Sequence, residues 1–345
     1  MRRITAIAGG FVLFVSAVPA IAGECSNPDA LGTSRTLVID TGAHPRLGSM
    51  QYRESLPLAP REVVITFDDG PLPPYTDRIL DILKSECVKA TYFLVGRMAR
   101  QYPELVRRIR GEGHTIGTHS QNHPLSFDSI PLAVAEREID TGVAAVGAAL
   151  GDATALAPFF RIPGLRRSSS VENYLASRSL IAWSADVVAD DWHRHVTAKD
   201  IAERAIRRIE AKGRGILLLH DIHPATALAL PIILKELKAR GYRVVQVVPS
   251  GLGRPATLTE PQQWVMRSGR SRPRPAADAI TAGINSRPAV SNQTPKTSNG
   301  RKEPMHTATA NPACHNFGLI AALFAFGCKT PEGHQLKITP RDRAG

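Results

Sequence analysis

Between residues 61 and 248 the chain alternates between two hydrophobic periods, and this constrains its fold more than any other feature. Short β-rich apolar runs stand at 61–67, 88–95, 114–118, 157–161, 180–185, 214–219 and 242–248. Stretches of helical period separate them, at 75–86, 98–112, 131–150, 168–177, 197–212 and 226–240. Ile201-Ala-Glu-Arg-Ala-Ile-Arg-Arg-Ile209 typifies the second set, with apolar residues on one helical face and charges on the other. A parallel strand pair needs a crossover long enough to hold a helix, so this alternation predicts an α/β fold around a parallel sheet, open or closed into a barrel. In such folds the chemistry gathers where strands end.

Several runs end on reactive residues. Val-Val-Ile-Thr-Phe-Asp-Asp-Gly (63–70) closes a strand-like run with two adjacent carboxylates. Successive side chains of a strand diverge, so Asp69 can bind a cation while Asp68 stays free as a general base. Fifty residues on, His119 and His123 stand in Gly-Thr-His-Ser-Gln-Asn-His-Pro (117–124). Their i, i+4 spacing lets two imidazoles converge on one ion if the segment is helical. One Asp and two His leave coordination positions open, as in a catalytic site, where a divalent metal would acidify bound water into a nucleophile.

A third run, Gly-Ile-Leu-Leu-Leu-His (215–220), ends on His220, which titrates near neutrality and suits the acid that protonates a leaving amine. His223 competes from further into the loop. Asp186, at the end of Trp-Ser-Ala-Asp (183–186), is expected to orient His220 and raise its pKa. Arg161, in Phe-Phe-Arg-Ile-Pro-Gly (159–164), is expected to hold Asp68 ionised and aimed.

Of the 345 residues, 43% are apolar and 21% charged, the balance of a globular body. Met1-Arg-Arg, the apolar stretch 4–18 and Ala20-Ile-Ala22 read as a secretory signal peptide (residues 1–22), so the protein is expected to be exported to the periplasm or beyond the cell. The formal charge of +12 resides largely in a tail: residues 265–345 hold twelve Lys and Arg against four Asp and Glu, a net +8. Removing Arg2 and Arg3 as well leaves +2 for residues 23–264, which speaks against nucleic acid as a partner. Residues 23–60 are expected to be an irregular lead-in, 61–250 the catalytic domain, and 251–345 a basic disordered tail able to meet an anionic cell wall or membrane surface. Of the four cysteines, Cys314 and Cys328 could close a loop in the tail, and Cys87 reads as a small buried hydrophobe.

Thr-Phe-Asp-Asp-Gly, His-x3-His, Arg-x-Pro, Asp…Asp-Trp and Leu-x-Leu-His, in this order, resemble the polysaccharide deacetylases of carbohydrate esterase family 4, the NodB homology domain. The resemblance implies a distorted (β/α)7 barrel and metal-dependent removal of acetyl groups from N-acetylglucosamine polymers such as chitooligosaccharide or peptidoglycan, or from O-acetylated xylan. By that likeness Asp68 is the base, and Asp69, His119 and His123 bind zinc or a similar ion. Arg161 supports the base, Asp186 tunes His220 as the acid, the Gly164 N–H helps hold the oxyanion, and Leu219 and Trp192 line the acetyl pocket. The fourth motif is stretched here: alignment on Trp183 selects Asp186, whereas alignment on Trp192 favours Asp190 or Asp191. The competing expectations are a cyclic-imide amidohydrolase of the same fold and a silent wall-binding protein.

Overall fold

The computed structural model describes residues 25–266. The expected signal peptide, Cys314 and Cys328, and the tail beyond Met266 lie outside them. The elements run β1 (Thr33–Ile39), β2 (Arg46–Leu47), β3 (Glu62–Asp68), α1 (Tyr75–Ser85), β4 (Thr91–Leu94), α2 (Gly96–Gln101), α3 (Pro103–Gly111), β5 (Thr115–Thr118) and α4 (Leu132–Leu150). There follow β6 (Phe159–Arg161), α5 (Ser169–Ser177), β7 (Ile181–Trp183), β8 (Val187–Val188), α6 (Ala198–Lys212), β9 (Gly215–His220), α7 (Pro224–Ala239) and β10 (Arg243–Pro249).

Every strand ladder is parallel. β3 is the hub. One edge pairs along its length with β9, and the other is shared by β10 at Glu62–Val63 and β4 at Thr66–Asp68. From β4 the sheet continues through β5, β6 and β7 to β2, while β8 flanks β9. The result is the distorted α/β barrel that the alternation and the motifs anticipate. The single helix expected over 98–112 is two, because Pro103 has no N–H to continue the first and instead starts the second.

Strand parity decides which residues reach the interior. Val63, Ile65 and Phe67 of β3 and Leu217 and Leu219 of β9 join the layer beneath α1, α6 and α7. Val64 and Ile216 belong to the inner cluster with Phe93, Phe159 and Trp183. Side chains alternate at period two, so Asp68 and His220 inherit the inner face.

The folded body is wider than residues 61–250. The supposed lead-in supplies β1, whose Thr33–Ile39 pairs with β10. It also carries Cys25, which forms a disulfide with Cys87, so Cys87 is not a lone buried hydrophobe. The first sixteen residues of the expected tail are likewise ordered: Thr257 exchanges hydrogen bonds with Val38, and Val265 bridges to Glu54. Trp264 is buried, stacks on His44 and donates from Nε1 to Thr259 at 3.0 Å. A chain cut near Pro261 would lose this indole. Trp264→Ala is expected to lower stability by about 3 kcal/mol or more, read from the denaturant midpoint, since a large buried side chain leaves a cavity that collapses only in part. A shift below about 0.5 kcal/mol would show that residues 251–266 merely lie on the surface.

Candidate active site

β3 delivers Asp68 as its last residue, and the chain then turns at Asp69, whose φ of 80° is left-handed. This abrupt turn separates the two carboxylates. Asp68 is 2% exposed and accepts from Arg161 Nη1 at 2.6 Å. Arg161, fully buried at the end of β6, also donates to Thr66 Oγ1 at 2.8 Å and to the Ser184 carbonyl at 3.0 Å, and its guanidinium lies over the Phe93 ring. The expected pairing of Arg161 with Asp68 is therefore present, as a buried ion pair in which both Nη atoms donate and Nε is left without a partner.

His119 and His123 do converge, though not on a helix. The segment after β5 is a loop with Ser120 at φ 65° and His123 at φ 59°, and these two left-handed residues fold it back on itself. Gly142 of α4 lets the loop lie directly on that helix, where an added Cβ would meet the Ser120 carbonyl carbon at 2.6 Å. Asp69 Oδ1 then stands 3.5 Å from His119 Nε2 and 3.2 Å from His123 Nε2.

These three residues fit a divalent cation. Their donor atoms lie within 4.8 Å of one another, and Asp69 Oδ1 is buried with no hydrogen-bond partner. His119 Nδ1 lies 2.6 Å from the Arg161 carbonyl, which can only accept, so Nδ1 carries the proton and Nε2 is left with a lone pair. Burial pushes the His119 pKa down to about 4, against the pull of Asp68, which keeps the ring neutral as a ligand must be. His119→Ala is expected to abolish tight metal retention after dialysis, measured by elemental analysis. Full occupancy in that variant would refute the ligand assignment.

The fourth motif resolves against Asp186. His220 Nδ1 pairs with Asp191 Oδ1 at 2.8 Å, and Asp191 Oδ2 accepts the His220 backbone N–H at 2.8 Å and Thr226 Oγ1 at 2.7 Å. Asp186 instead accepts from Ser49 N–H, Ser55 Oγ and Ile216 N–H. Asp190 pairs with Arg208 at 2.8 Å. The physical reason is β8: two residues after Asp186 are taken up in pairing with β9, and only then does the chain reach the level of His220. Burial works against the imidazolium, but Asp191 outweighs it and lifts the His220 pKa to about 9. His223, which precedes α7, presents its ring to that of His220 at 5.7 Å and has no place in the cleft lining.

Asp68, Asp69, His119, His123 and His220 share one cleft of about 550 Å³. Gly164 and Trp192 line it as expected, the indole edge-on to His220 at 5.5 Å. Leu219 does not: parity turns it outward, and Leu218, two residues before His220, takes its place on the wall. Met50, Asp221 and several apolar residues of the wall, Val188 among them, are not singled out by the sequence. Met50 lines the cleft from the N-terminal segment. Asp221 is fully buried, accepts the Gly70 N–H at 3.0 Å and Thr76 Oγ1 at 2.6 Å, and so pins the turn that carries Asp69. Its position beside His220 was visible; its partners were not.

The polysaccharide deacetylase family model matches residues 56–180, which run from before β3 to just past α5. A Bacillus cereus peptidoglycan-N-acetylglucosamine deacetylase is 33% identical over 184 residues, 52% of this chain and 66% of its own length. A chitooligosaccharide deacetylase of Rhizobium leguminosarum bv. trifolii is 32% identical over 53% of this chain and 88% of its own. The structure of a Bdellovibrio bacteriovorus peptidoglycan deacetylase, 32% identical, superposes with a TM-score of 0.57 over 65% of this chain and 61% of its own. The first and third of these are spanned over less than two thirds of their length. Identity across nearly the whole Rhizobium protein, on the fold and motifs described above, shows that the chain belongs to the polysaccharide deacetylase family, the NodB-like esterases of carbohydrate esterase family 4.

Proposed function

We propose that this chain hydrolyses the N-acetyl groups of an N-acetylglucosamine-containing glycan, peptidoglycan or chitooligosaccharide, with a divalent cation, zinc for preference, held by Asp69, His119 and His123. The observation that carries the reading is the unpartnered Asp69 Oδ1 between two imidazoles, flanked in one cleft by Asp68 and His220. Two nitrogen donors and one carboxylate suit zinc. Bound there, the cation would polarise the acetyl carbonyl and acidify water.

The chain's own residues supply the proton traffic. Asp68 takes a proton from the attacking water, and Arg161 Nη1 holds its Oδ1 so that the other oxygen keeps its aim. His220, protonated and oriented by Asp191, gives a proton to the amine nitrogen as the C–N bond breaks. The products are acetate and a free glucosamine amine. The Gly164 N–H, on the cleft wall, is the donor assigned to the developing oxyanion. Leu218, Val188 and Trp192 exclude water around the acetyl methyl.

We infer a site of action outside the cytoplasm; the leader-like N-terminal sequence and the Cys25–Cys87 disulfide, a bond that persists in oxidising compartments, support that reading. Acetate release from chitooligosaccharides and from peptidoglycan, with and without chelator, tests the reading. Release that chelator leaves untouched would refute the metal dependence, and release from acetylated xylan alone would move the substrate class.

A further inference from the structure

Residues 46–55 precede the family match, which begins at residue 56, yet they reach the cleft. The segment starts as β2, paired with β7 through Arg46↔Ala182 and Leu47↔Trp183. The Gly48 N–H donates to the Glu54 carbonyl and the Tyr52 N–H to that of Gly48, closing a tight loop around Met50. Gly48 is required there, because its φ is 111° and a Cβ would meet the Ser184 carbonyl carbon at 2.7 Å.

Two buried carboxylates fix the loop. Asp186 accepts the Ser49 N–H at 2.7 Å, Ser55 Oγ at 2.7 Å and the Ile216 N–H at 2.8 Å. Glu172 accepts Tyr52 OH at 3.0 Å and Arg46 at 3.1 Å, and pairs with Arg167. The Met50 N–H donates to the Ala185 carbonyl, and Gln51 Nε2 to that of Leu165 at 2.7 Å. The loop therefore spans from the turn after β6 to the link between β7 and β8, both of which border the cleft. Met50 is its only exposed apolar residue, at 45%, and that side chain lines the cleft.

We propose that residues 46–55 form a substrate wall in which Met50 packs on the apolar face of the sugar next to the one carrying the reacting acetamido group, with Asp186 and Glu172 as positioning residues. The glycan nature of the ligand rests on the function proposed above; the wall itself rests on the loop's anchoring. A thioether is flexible and polarisable, which suits the uneven C–H face of a pyranose. The wall adds contact beyond the reacting ring, so it acts on chain-length preference rather than on the chemical step.

Binding of the N-acetylglucosamine tetramer and of the monosaccharide to the full-length, metal-loaded protein, followed by calorimetry beside acetate release, tests this. Met50→Ala is expected to weaken tetramer binding about fivefold, with a much smaller change for the monosaccharide, and Met50→Leu to restore most of the loss. Ser55→Ala removes one Asp186 bond without touching the cleft and is expected to raise KM for the tetramer more than it lowers kcat. Met50→Ala that binds the tetramer as tightly as the parent protein, or a Ser55→Ala loss that falls on kcat, would overturn the wall. A parent protein that binds the tetramer but releases no acetate refutes the deacetylation, and the Met50 comparison still decides the wall. No tetramer binding by the parent protein overturns both.

Discussion

Asp68→Asn is expected to cut acetate release by about 10²- to 10⁴-fold while the protein keeps its metal, the range a positioned general base contributes. The substitution is nearly isosteric, and the amide oxygen still accepts from Arg161 Nη1, so the buried guanidinium keeps a partner and the fold should survive. What is lost is a carboxylate able to take a proton. The candidate metal ligands Asp69, His119 and His123 are untouched, so elemental analysis should find parent-like occupancy. A variant that retains more than about a tenth of the parent rate would show that Asp68 is not the base. One that loses metal would show that Asp68 is a ligand, an alternative the 3.9 Å separation of its Oδ2 from His119 Nε2 makes worth checking.

Asp191→Asn is expected to move the alkaline limb of the rate profile to lower pH by more than one unit, about the scale on which a carboxylate partner shifts a buried histidine. Burial disfavours the imidazolium of His220, and Asp191 overcomes it to hold the pKa at about 9, above the ordinary 6.5. Because the acid must be protonated to act, a pKa lowered by loss of Asp191 ends activity earlier as pH rises. Stability follows the same sign. The folded pKa lies above the unfolded one, so the stabilisation from this pair is full below about pH 6.5 and disappears as pH climbs through about 9. Asp186→Asn should leave the limb in place, since its carboxylate contacts Ser49, Ser55 and Ile216. A limb moved by Asp186→Asn and not by Asp191→Asn would reverse the assignment.

The parts of this site that could be read from sequence are those encoded locally. Asp68, Arg161 and His220 each end an apolar run, and the end of a parallel strand is where side chains meet. The candidate metal site was legible as residue types at a spacing, although its geometry is made by left-handed residues at Ser120 and His123 and not by a helix. What stayed hidden depends on partners far along the chain. β1 is strand only because β10, more than 200 residues later, offers it an edge. Alignment on Trp183 selects Asp186, but β8 takes up the next two residues in pairing with β9, and the carboxylate that reaches His220 is Asp191. The resemblance points to Leu219, but strand parity favours its neighbour: a strand that turns His220 inward turns Leu218 inward too. The Cys25–Cys87 pairing could not be deduced, since four cysteines allow three connectivities and only proximity selects one.

Arg161 serves the site from two chemically unlike ends. Its guanidinium aims Asp68, while its main-chain carbonyl fixes the ring of His119. The carbonyl is common to every residue type; the guanidinium that reaches Asp68, Thr66 and Ser184 together belongs to arginine alone. Mutation at this position is therefore asymmetric. It can remove the donor that aims Asp68 and leave the carbonyl that orients His119 in place. Under the proposed mechanism, the aim of the Asp68 carboxylate and the orientation of the His119 ring therefore answer to different mutations, although both contacts come from one residue.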